Sequence, residues 1–179
     1  MKYQYFDDEK KLIVYFENAL CSYMLLEWIR LDLCQFKRLQ YFIVIDGLES
    51  TLDFFMESCR SNQYRLYSNG WCSWCIKALP TLCIVSEEWN DVVTFCEFIG
   101  SFNEGQMNLF LVDSNISLEL EGQKNEVLSE MESHSFIKIE VLPDGDGMEI
   151  TSSSAECDFK SIINRLSKMR KENDGNSEI

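Results

Sequence analysis

Residues 136–151 read FIKIEVLPDGDGMEIT. In 136–142 the apolar Ile137, Ile139 and Val141 alternate with Lys138 and Glu140, and in 148–151 Met148 and Ile150 alternate with Glu149. A period of two is the mark of a strand with one buried face. Between the two runs lies Pro143-Asp144-Gly145-Asp146-Gly147, the strongest turn signal in the chain. Pro presets the backbone for a turn, while Gly and Asp tolerate the bend that follows. The block therefore reads as a β-hairpin, whose strands are antiparallel.

The same grammar recurs outward from this block. Residues 107–112 (MNLFLV) and 116–121 (ISLELE) bracket Asp113-Ser114-Asn115, an expected second hairpin. Residues 3–6 and 12–16 bracket Asp7-Asp8-Glu9-Lys10-Lys11, an expected third. Residues 39–46 (LQYFIVID) form the clearest buried strand, and 81–85 (TLCIV) a shorter one. Helices are expected between them. Residues 19–31 lean to helix on composition. Ser50 is placed to cap a helix that carries Leu52, Phe54, Phe55 and Cys59. Ser86 precedes Glu87, Glu88 and an inward stripe of Trp89, Val92, Val93, Cys96 and Ile99. Ser153 and Glu156 have capping-box spacing before Phe159, Ile162, Ile163, Leu166 and Met169. Strands in hairpins with interspersed helices imply an α+β fold. The expectation is one domain over residues 1–171, with a mostly antiparallel, possibly mixed, sheet and helices on one face. Residues 172–179 are expected to be a tail.

The chain has 179 residues, 46% of them hydrophobic, which is ample for a core. Its 16 Lys+Arg against 30 Asp+Glu leave a formal charge of −14. That field repels phosphate, so neither direct nucleic-acid binding nor an anionic membrane surface is expected. No basic-then-apolar start resembles a secretory signal, and no run of about 20 apolar residues is present. The chain is expected to be cytoplasmic, with its eight cysteines reduced.

The excess charge is concentrated. Residues 81–158 hold 2 basic and 17 acidic residues. Strand alternation places Glu119, Glu121, Glu140 and Glu149 on the outer face of a shared sheet, with Asp144 and Asp146 at its rim. Like charges facing each other destabilise a sheet, so a carboxylate wall carries a cost that binding could explain. Solubility alone is the competing explanation. Trp71 and Trp74, in a turn-like stretch, are candidate interface anchors.

Trp71-Cys72-Ser73-Trp74-Cys75, with Pro80 beyond, is similar to the active-site segment of the thioredoxin family. The resemblance spans about ten residues and implies Cys72 as attacking thiol and Cys75 as resolving thiol. It departs from the family in its lead-in, Tyr67-Ser68-Asn69-Gly70, and in having Pro80-Thr81 so close. One CxxC and the single His134 do not make a four-ligand zinc site. Asp144-Gly145-Asp146-Gly147 lacks the further ligands of a calcium loop. No phosphate-binding glycine motif occurs. No cofactor, metal or catalytic residue is expected.

These observations favour a non-enzymatic acidic binding protein that occludes a basic protein. An immunity protein that neutralises a nuclease-type bacterial toxin fits that description. The alternatives are a thiol-disulfide oxidoreductase using Cys72 and Cys75, or an assembly subunit whose acidity serves solubility. The oligomeric state is not legible.

Overall fold

A computed structural model describes residues 2–15, 39–71, 78–98, 107–113, 116–142, 147–153 and 158–175. Its frame is an eight-stranded sheet. The strands are β1 (Lys2–Phe6), β2 (Lys11–Tyr15), β3 (Leu39–Asp46), β4 (Gln63–Trp71), β5 (Ala78–Ser86), β6 (Met107–Asp113), β7 (Ser135–Val141) and β8 (Gly147–Ser152). They lie in the order β1-β2-β8-β7-β6-β3-β5-β4, and every neighbouring pair is antiparallel. The helices are α1 (Glu49–Ser58), α2 (Trp89–Phe98), α3 (Lys124–His134) and α4 (Phe159–Gly175). The α+β expectation holds, and the sheet is antiparallel rather than mixed among the described strands.

The most apolar runs sit in the middle of the sheet because both their faces are covered. Tyr41, Ile43 and Ile45 of β3 point to one side, while Phe42 and Val44 point to the other. In β6, Met107, Leu109 and Leu111 join the first side, and Phe110 and Val112 the second. The rings of Phe42 and Phe110 meet with centroids 5.6 Å apart. Each such fully buried side chain contributes about 1.5–3 kcal/mol of apolar burial.

The first face carries Leu52 and Phe55 of α1, Val92, Phe95 and Cys96 of α2, and Phe159, Ile162 and Leu166 of α4. The second carries Val127 and Met131 of α3, with Leu118 and Leu120 from the segment before it. Helices were expected on one face only. Three of the described helices obey that, but α3 covers the opposite side.

Several local expectations are met. The 3–6/12–16 hairpin is β1·β2 with Phe6 opposite Lys11, and β7·β8 pairs Val141 with Met148. Others are corrected. Ser50 lies inside α1, whose N-cap is Leu48 without a side-chain cap. Phe54 is 61% exposed rather than inward, although its ring meets Phe98 at 5.6 Å. Asp158, not Ser153, caps α4: its Oδ1 accepts from the N–H groups of Lys160 (3.0 Å) and Ser161 (3.3 Å). That helix also takes in residues 172–175, where a tail was expected. The expected helix at 19–31 lies outside the described residues.

Strand β4 is not among the expected strands, and it takes in Ser68-Asn69-Gly70 of the lead-in to the CxxC motif. In the structure these residues are part of a strand whose register shifts between Tyr67, opposite Thr81, and Gly70, opposite Leu79. The shift falls across from Pro80, which has no N–H to donate to the ladder.

Candidate binding face

Residues 116–121 were expected to be a strand of the sheet. They keep the alternation but leave the ladder. Leu118 and Leu120 are buried against the second face, while Glu119 and Glu121 are exposed. Side chains of β4 take the place of strand neighbours. Gln63 Nε2 donates to the Leu118 carbonyl (3.0 Å), and Arg65 Nη1 and Tyr67 OH both donate to that of Leu120 (2.8 Å each). The Arg65 guanidinium also lies over the Tyr67 ring, 5.1 Å from its centroid. The segment is thus a strap tied across the sheet by three side chains.

Gly122, at φ 99°, turns the strap into α3. A β-carbon there would strain the left-handed backbone, so glycine is required. The helix start closes on itself: the Gln123 N–H donates to Glu126 Oε2 (2.9 Å), and the Glu126 N–H donates back to the Gln123 carbonyl (3.0 Å). Val127 and Met131 face inward, which leaves Glu126, Glu130 and Glu132 exposed.

The position of Lys124 matters most. Residues 113–134 contain six carboxylates and one cation, Lys124. That cation turns toward the sheet, where Nζ donates to Asp46 Oδ1 (3.1 Å) and Thr81 Oγ1 (2.6 Å). The Thr81 hydroxyl in turn donates to Asp46. The outer surface of strap and helix therefore presents carboxylates with no cation from within residues 113–134, and only Glu132 is met from the sheet, by Lys138. Glu126 and Glu130, one helical turn apart, repel by a few tenths of a kcal/mol.

Glu140 and Glu149 belong to a different environment. They face each other across β7 and β8, as the alternation requires. They are not a bare wall. Lys138 Nζ lies 3.5 Å from Glu140 and 3.3 Å from Glu132 of α3, and Lys11 Nζ lies 3.8 Å from Glu149 and 2.8 Å from Glu9. The like-charge cost is offset within the sheet by a row of alternating signs. Lys11 is correspondingly held above its ordinary range, first by its hydrogen bond to Glu9 and then by the fields of Glu149 and Glu140. The single shared sheet face expected for Glu119, Glu121, Glu140 and Glu149 resolves into two patches, one exposed and one internally neutralised.

The remaining candidates offer little chemistry. Lys124 against a threonine hydroxyl resembles an activated nucleophile in outline, yet Thr81 is fully buried and its hydroxyl is already spent on Asp46. The trio fastens α3 to the sheet. Burial pushes the thiols of Cys59 and Cys83 up to about 12, which makes both poor nucleophiles. Asp91 is fully buried but accepts from the Arg60 N–H (2.7 Å), the Ser61 N–H (3.0 Å) and Ser86 Oγ (2.6 Å), a structural clamp. No group of three or more metal-ligating side chains occurs among the described residues. No described helix is long and apolar enough to cross a membrane.

Trp71 ends β4, so a strand leads into the CxxC motif, but it is not an apolar one: Gln63, Tyr64, Arg65 and Leu66 are exposed. That strand is antiparallel to the one that follows, β5, which differs from a parallel β-α-β setting. Cys72, Trp74, Cys75, Asp144 and Asp146 lie outside the described residues. Sequence reasoning missed the inward lysine and the Asp91 clamp. Lys124 and Asp46 are 78 positions apart, and no local pattern joins them. Glu126 and Glu130 did carry a local signal, their i, i+4 spacing in KNEVLSEMESH. Comparison with family models, with curated proteins and with solved structures returns no match.

Proposed function

We propose that the chain is a non-enzymatic acidic binding protein, and that the strap and α3 form the face that meets a basic protein. One observation carries this reading: the only cation of residues 113–134 is turned into the sheet, while Glu119, Glu121, Glu126 and Glu130 stay exposed. A face of one sign raises encounter rates with an opposite field and rejects like-charged competitors. A strap already tied to the sheet by three side-chain hydrogen bonds favours such a role, because less ordering is needed on binding. The finer reading is an immunity-type neutraliser acting in the cytoplasm. Enzymes that cut nucleic acid need basic clefts, and an acidic plug complements them.

Glu140 and Glu149 contribute less in this reading, since Lys138 and Lys11 already share their charge. The test is a triple reversal, Glu119→Lys with Glu121→Lys and Glu130→Lys, at exposed side chains outside the helix cap. Capture of the basic partner from the native cell should be lost while the far-ultraviolet dichroism stays unchanged. Retention of that partner by the folded variant would overturn the assignment.

A further inference from the structure

The two outer strands of the sheet are unlike each other. Edge strands present open N–H and C=O groups, and natural proteins blunt them with central charges, prolines or bulges. Strand β4 is blunted: it carries Arg65 at the centre of its regular part, Gln63–Tyr67, and the register shift near Gly70. Strand β1, KYQYF, has none of these devices between Lys2 and Phe6. All five of its residues are exposed, with Tyr3 at 50%, Phe6 at 38% and Tyr5 at 37%. Among the described residues, no strand pairs with its outer side.

This edge is also ordered in advance. Tyr5 OH donates to Asp7 Oδ1 (2.5 Å), and its ring lies 5.4 Å from that of Phe159. Lys11 sits 5.3 Å above the ring of Phe6, across the hairpin.

We infer that β1 is a self-docking edge, pairing antiparallel with β1 of a second copy of this chain about a two-fold axis through Gln4. The sequence is complementary to itself in that register. Gln4 faces Gln4, Tyr3 faces Tyr5, and Lys2 faces Phe6 of the second copy. The last pair repeats the lysine-on-phenylalanine contact that Phe6 already makes with Lys11. No like charges meet. The regular part of β4, Gln63–Tyr67, paired with itself about its own centre would set Arg65 against Arg65, so the two edges differ in kind. A two-fold edge pairing closes as a dimer, whereas a β1-to-β4 contact would run on as a fibre.

The inference stands independently of the proposed acidic face, and salt separates them. Two copies of formal charge −14 repel at long range, so screening should tighten the dimer. Binding of a basic protein through carboxylates should weaken under the same change.

The test is sedimentation equilibrium of the full chain, from micromolar to millimolar concentration, at low and high salt. A monomer–dimer equilibrium that tightens with salt is expected. Gln4→Lys, which sets two cations face to face at the axis, should loosen it about fivefold or more without lowering Tm. Gln4→Cys reads the register directly. Directly opposed strand residues bring α-carbons to roughly 4.5–5.5 Å, within disulfide reach. Mild oxidation should therefore yield covalent dimer well above that of the unsubstituted chain, and Lys2→Cys should not. A monomer at every concentration, a dimer indifferent to Gln4→Lys, or pairing only with a strand of another protein would each overturn the inference.

Discussion

Replacing Asp91 by alanine should cost about 3–4 kcal/mol of folding stability. The figure follows from what the carboxylate holds. Asp91 is fully buried at the start of α2 and accepts three hydrogen bonds: from the Arg60 N–H, the Ser61 N–H and the Ser86 hydroxyl. Hydrogen bonds to a charged group contribute about 1.5–3 kcal/mol each, which sets a ceiling near 9. Two corrections lower it. Arg60 is exposed and Ser61 half-buried, so their N–H groups regain water when the loop relaxes. Removing the carboxylate also removes its own desolvation cost. Only Ser86, 4% exposed, is left without an easy substitute. In a chain of this length the loss should appear as a fall in Tm of roughly 8–12 °C. Asp91→Asn keeps one accepting oxygen but turns an NH2 toward a donor, so it should cost about half as much. Urea unfolding followed by dichroism measures both. A loss below about 1 kcal/mol for Asp91→Ala would refute the clamp, because the loop would then owe its path to something else.

Three further outcomes follow from other parts of the structure. Lys124→Met should destabilise by about 2 kcal/mol, because it leaves Asp46 without its counter-charge and the buried Thr81 hydroxyl without the donor it accepts from; hydrogen exchange should quicken first in α3. Gly147→Ala should cost about 2–3 kcal/mol in Tm or urea measurements, since a β-carbon there would lie 2.3 Å from the Val14 carbonyl oxygen, and backbone cannot step aside as a side chain can. Stability should also fall on the alkaline side. Burial raises the Cys59 and Cys83 thiols from an ordinary 9.0 to about 12, so above pH 9 the unfolded chain releases protons that the folded one keeps. Their contribution is intact below pH 9 and lost as pH rises toward 12, with Tyr67, also raised by burial, adding to the trend. A pH series of urea midpoints checks the sign, and a rise between pH 9 and 12 would contradict it.

Local signals in the sequence were enough for two of the three expected hairpins. Period-two alternation with a Pro-Asp-Gly turn located β7 and β8, and the acidic loop after Phe6 located β1 and β2. The apolar run 39–46 was legible as a buried strand because both of its faces are covered. Strand β4 was not legible, since its Ser-Asn-Gly sits where a bulge, not a turn, relieves the missing N–H of Pro80. The strap shows the limit most clearly. Alternation told correctly which of its residues point inward, but could not say whether strands or side chains satisfy its backbone. As a result Glu119 and Glu121 were legible as outward-facing, while their separation from Glu140 and Glu149 was not. The neutralising role of Lys11 and Lys138 depends on pairings between distant strands, which composition alone does not reveal.

The acidic-face assignment is tested most directly by capturing the partner on the immobilised full chain and measuring its association rate as salt rises. The account predicts a basic protein bound in stoichiometric amount, with a rate that falls steeply as screening increases and is lost in the Glu119/Glu121/Glu130 lysine variant. A partner without basic character, or an association rate indifferent to both salt and those three charges, would contradict it.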